Sequence, residues 1–99
     1  MSYTRVFIFE NPKGFASQMK RIFKPHTKPM LDKLTKEKTI DRWSLIQIGD
    51  NTAMSVMEFA NKAKMNKALK TTAAHRDEVA ADETGMQWWA YHGPVKASG

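Results

Sequence analysis

Ninety-nine residues, 41% hydrophobic and 26% charged, make about one folded domain. The absence of Cys excludes disulfides, thiol catalysis and Cys-ligated metal. No apolar run approaches the ~18 residues of a membrane span, and no apolar signal region follows Met1, so the expected location is cytoplasmic. The formal net charge is +6, concentrated at residues 13–38 and 61–70. Such a field keeps a protein soluble and attracts anions.

Residues 3–9 (YTRVFIF) are aromatic and β-branched, which predicts a strand. Asn11-Pro12 reads as a helix start, with Asn as cap and Pro at the first helical position. Phe15, Met19, Ile22 and Phe23 then form one helical stripe. Pro25 is expected to end that helix, and Thr27 and Pro29 to restart it, with Met30, Leu31 and Leu34 on a short apolar face. Residues 40–48 and 53–59 read as strands joined by the turn residues Gly49-Asp50-Asn51-Thr52, hence an antiparallel hairpin. A long helix is expected from about Asn61 to Thr84, stopped by Gly85. Residues 86–92 (MQWWAYH) form a last strand, and 95–99 a loose tail of the single domain 1–99.

The order β-α-β-β-α-β folds, through right-handed crossovers, into a ferredoxin-like α+β sandwich. One four-stranded antiparallel sheet carries the helices on one face, in the strand order 4-1-3-2. Each strand is apolar on both sides: Val6 and Ile8 oppose Phe7 and Phe9, Ile46 and Ile48 oppose Trp43 and Leu45, Met57 and Phe59 oppose Met54 and Val56, and Trp88 opposes Trp89 and Tyr91. The helices cover one face. The other would leave several hundred Å2 (order of magnitude) of apolar surface in water, which soluble monomers rarely tolerate. A second copy of the same sheet is the expected cover, giving a homodimer.

On element order, length and these two-faced strands, residues 3–93 resemble the dimeric α+β barrel superfamily, including the antibiotic-biosynthesis monooxygenase-like and stress-responsive proteins. The resemblance implies two ferredoxin-like subunits packed sheet to sheet. It also implies a small molecule held between sheet and helices, with cofactor-independent oxygenation as the activity. Ala73-Ala74-His75 looks like the surroundings of the haem-contacting His in a haem-degrading branch. Met65 stands where that branch carries Trp, and Asn11 follows the strand instead of lying within it, so no cofactor is expected.

Ser44, Ala53 and Ser55 are small neighbours of Ile46, Ile48 and Met57, which suggests room for a pocket. Ser44 and Ser55 are candidate ligand contacts, with Trp43, Trp88 and Trp89 as walls. Close packing by Met19, Phe23 or Met65 is the competing expectation. His75, on the apolar stripe of the second long helix, is the candidate catalytic base; a hydrogen-bonded structural role is the plainer alternative. No His pair has metal-ligand spacing, so no metal is expected. The expected ligand is small and apolar or amphipathic. RNA-recognition domains share the element order, and Val6-Phe7-Ile8 and Phe59 suit their motifs. Met54 and Val56 stand where base-stacking aromatics are needed, so nucleic acid is the disfavoured partner.

Overall fold

The β-branched and aromatic run at the N-terminal end forms β1, Tyr3–Glu10, at the centre of an antiparallel sheet. The computed structural model describes residues 2–83 and 85–99. β1 pairs with β3, Thr52–Phe59, on one side and with β4, Gln87–Pro94, on the other. β2, Arg42–Gln47, closes the edge beyond β3, so the order is β2-β3-β1-β4. This is the strand order expected from sequence.

The link after β1 differs from the expected helix start. Asn11 is fully buried and shapes a turn: its Oδ1 accepts from the Lys13 N–H at 3.0 Å, and its Nδ2 donates to Gln18 Oε1 at 2.9 Å. Gly14 follows with φ 92°, a conformation other residues rarely adopt. Helix α1, Phe15–Gln18, begins only there. Nor does Pro25 end the helical segment. The chain widens into a π-helical stretch, Met19–Thr27, and continues as α2, Lys28–Lys36. A proline interrupts an α-helix because it lacks an N–H and its ring meets the carbonyl four residues back. The wider turn relieves that clash. Pro29 sits in the first turn of α2, where its missing N–H breaks no bond.

Beyond α2, Lys38 takes φ 62°, and the N–H groups of Thr39 and Ile40 both return to the Leu34 carbonyl. This turn buries Ile40 completely as a plug between helix and sheet, so β2 starts at Arg42 and not at Ile40. Helix α3, Lys62–Asp82, opens on an Asn61 cap whose Oδ1 accepts from the Lys64 N–H at 2.9 Å. Its expected end at Thr84 lies outside the described residues.

Phe59, Met57, Ile40, Leu34, Met65 and Ala68 form the heart of a core on one side of the sheet. Fully burying a Phe or Met contributes roughly 1.5–3 kcal/mol, so this cluster anchors both helical segments to β3. It fills one end of the space between sheet and helices. The other end is less full.

Candidate functional site

The strand register decides what each face offers. On the inner face, Leu45, Ser55 and Phe7 lie side by side across β2, β3 and β1. Ser55 is the small member of that row. Above it the layer of helices leaves a cavity of about 100 Å3. Its floor is Arg5, Phe7, Phe9, Leu45, Ser55 and Met57. Ile22, Phe23, Thr27, Met30 and Leu31 form one wall, and Thr72, His75, Arg76 and Val79 of α3 form the other. The lining is mostly apolar with a few convergent polar groups, the composition of small-molecule sites.

His75 sits where this cavity meets a polar surface hollow that also includes His26, Glu78 and Glu83. Its Nε2 is 2.7 Å from Thr27 Oγ1, a bond that ties α3 to the π-helical stretch. Burial lowers the imidazole pKa below its ordinary value; Glu78 opposes this and His26 adds to it. The ring is therefore neutral near pH 7 and has a lone pair with which to accept a proton.

Arg5 is 9% exposed, on the inner face of the central strand. Its Nη1 lies 3.4 Å from His92 Nδ1. Burial, and then the neighbouring Arg76, lower its pKa, yet a guanidinium stays protonated at any physiological pH. The Arg76 guanidinium carbon lies 5.7 Å from the centre of the Trp88 ring, within cation–π range.

Glu83, at the end of α3, is almost fully buried and accepts from Arg21 at 2.5 Å, with Lys13 at 3.2 Å. Burial opposes its ionisation, but the bonds from Arg21 and Lys13 outweigh that and hold the carboxyl below its ordinary value. The Arg21 bond ties the end of α3 to the π-helical stretch that walls the cavity, and the Lys13 ion pair ties it to the turn after β1.

Of the residues expected at a pocket, Ser55 and His75 line the cavity. Trp43 is on the correct face but packs edge-on against Phe23, ring centres 5.7 Å apart, as part of the core's margin. Trp88 supports Arg76 without lining the space. Ser44 and Trp89 are corrected: both lie on the opposite face of the sheet, Ser44 beside Val56 and Trp89 beside Ile8. Side chains alternate along a strand, so these two cannot reach the cavity. Phe59 is likewise fully buried against the helices and offers no surface for a base to stack on. Sequence reasoning missed Arg5 and Arg76. Arg5 shares the strand phase of Phe7 and Phe9, and Arg76 is four residues past Thr72, so both were readable as inward-facing charges.

Among the described residues, no group of three or more His, Asp or Glu is placed to hold a metal ion, and no helix is long and apolar enough to cross a membrane. No family model matches the sequence, and no curated protein sequence matches it. Solved structures do. The chain is similar to SnoaB, a cofactor-independent oxygenase from Streptomyces nogalater, at TM-score 0.74 and 13% identity over 98% of this chain and 95% of that one. It is similar to a dimeric ferredoxin-like protein from an uncultured marine organism, at TM-score 0.72 and 10% identity over 99% and 97% of the two chains. A protein of the ethyl tert-butyl ether (EthD) family from Bacillus halodurans aligns at TM-score 0.69 and 11% identity over 96% and 99%. At such identities the likeness establishes the fold.

Proposed function

From the premise that this chain has the fold of the dimeric α+β barrel proteins, we propose that it is a homodimer that binds a small apolar or amphipathic molecule between sheet and helices. The observation that carries the reading is the cavity itself, opened by Ser55 between Leu45 and Phe7 and walled by apolar side chains. Close packing is the rule in protein interiors, so an apolar space on the inner face of a small domain is a feature to be filled.

The dimer follows from the other face. Ile46, Met54, Ile8 and Trp89 form one unbroken apolar row across all four strands, and Val56, Val6 and Tyr91 continue the next. Ile46 is 40% exposed, Trp89 44% and Tyr91 63%. Arg42 and Glu58 pair at the polar rim, 2.6 Å apart. A second copy of this face supplies a matching apolar surface and rim. Nucleic acid fits it less well, since the outward positions of β1 and β3 carry Val6, Ile8, Met54 and Val56 in place of stacking rings.

The chemistry we assign to the cavity is cofactor-independent oxygenation. Neutral His75 takes a proton from an acidic C–H of the ligand. The resulting carbanion reacts with dioxygen: a methylene becomes a carbonyl, one oxygen atom enters the product, and the other leaves as water. The substrate carbon supplies every electron, so no further reductant is required. Support comes from the lowered pKa of His75 and from the shared fold of SnoaB.

NMR titration with indole, a compact neutral ring, tests the binding. Shift changes centred on Ser55, Met57 and Thr72 are expected; changes confined to Ile46 and Tyr91, or none, overturn it. For the reaction, oxygen uptake with β-tetralone, an aromatic carbon acid, should be lost in His75→Phe. Uptake that is absent, or unaffected by that substitution, overturns the catalytic step.

A further inference from the structure

We propose that the cavity selects an anion: Arg5 and Arg76 together bind the carboxylate of a small ligand whose apolar body lies over Ser55 and Met57. This rests on the binding role proposed above and adds the class of ligand.

Arg5 and Arg76 both line the same mostly apolar space, and none of its lining residues is acidic. Arg5 is buried in the central strand, and among the described residues it makes no ion pair; its polar neighbour is His92. The Nε of Arg76 is buried without a hydrogen bond. Asp77 Oδ1 forms a long ion pair with it at 3.9 Å, beyond hydrogen-bond reach, from a largely exposed side chain. Glu78 and Glu83 border the neighbouring hollow, and Glu83 is already engaged by Lys13 and Arg21.

A buried charge without a partner is costly, and two like charges in one low-dielectric space add repulsion. Proteins normally pair such groups or leave them out. Here the described side chains supply no partner to Arg5, which leaves the complement to the ligand. Guanidinium forks match a carboxylate through paired, charge-assisted N–H bonds. The Trp88 ring beneath Arg76 fixes one fork without neutralising it. His92, beside Arg5, holds the other in place from the same inner face.

Phenylacetate and phenylacetamide have nearly the same shape and differ in charge. Isothermal titration of the full chain should show phenylacetate binding about tenfold or more tightly than the amide, the range of a charge-assisted pair. Arg76→Gln and Arg5→Met should each weaken phenylacetate about tenfold and leave the amide within about twofold. Arg5→Met should also melt no lower than the parent protein, because it removes an unpaired buried charge. Equal affinity for the two probes in the parent protein, or a carboxylate preference that survives both substitutions, overturns the anion site and leaves the binding role standing. Failure of both probes to bind overturns the two together.

Discussion

Ser55 lies between Leu45 and Phe7 in the inner-face row, so Ser55→Val places two methyl groups in the cavity where one hydroxyl was. The space of about 100 Å3 is ample for them. At ~0.8 kcal/mol per buried methylene-sized group, the gain is about 1.5 kcal/mol. For a domain of this length that raises the melting temperature by roughly 6–12 °C. Valine also suits a central strand better than serine. Binding moves the other way: the added methyls occupy the volume the ligand needs, and affinity for indole should fall about tenfold or more. Differential scanning calorimetry and titration on the same samples read both effects. A lower melting temperature would show that the site is already packed. Unchanged indole affinity would show that the ligand lies elsewhere.

On the outer face, Ile8→Glu sets a carboxylate between Met54 and Trp89, at the centre of the apolar row. Burying it in a dimer costs about 4 kcal/mol or more, so association weakens about a thousandfold, measured by sedimentation over a concentration series. The circular dichroism of the monomer should be unchanged. His75 titrates below its ordinary 6.5 in the folded chain, so the unfolded chain takes up that proton first. Its contribution to stability is complete above pH 6.5 and declines as pH falls through the folded value. His75→Gln should therefore flatten the pH dependence of urea midpoints below pH 6.5 relative to the parent. Arg21→Ala leaves Glu83 buried with Lys13 alone and should destabilise the fold by about 1–3 kcal/mol in urea denaturation. Because the Glu83 carboxyl is held below its ordinary 4.5, its contribution is present above that value and lost as pH falls through the folded one. Arg21→Ala should reduce this acid sensitivity.

Period-two alternation and the Gly49–Asn51 turn made the sheet legible, because a strand with large side chains on both sides reads the same in any register. Assigning residues to faces needed more. Gln47 pairs with Ala53, so Ile46 aligns with Met54 and Leu45 with Ser55. A reading that groups Ile46 and Ile48 with Met57 is off by one residue across the hairpin, and one residue exchanges the faces. That carried Ser44 to the wrong side. Trp89 went astray through the neighbouring strand, since two adjacent tryptophans point opposite ways and nothing local says which is inside. Pro25 misled for another reason. Its helix-breaking effect assumes α geometry, and the packing of Ile22 and Phe23 against the sheet holds the segment helical through a wider turn. Arg5 was overlooked because an inward-facing charge on a central strand contradicts the usual burial pattern, and that contradiction was itself the signal.

Whether two sheets meet is the question on which the exposed Ile46, Trp89 and Tyr91 bear most directly. Sedimentation equilibrium of the native chain at micromolar concentration should return twice the chain mass. A single species of one chain mass over that range, with those three side chains in water, would contradict the account.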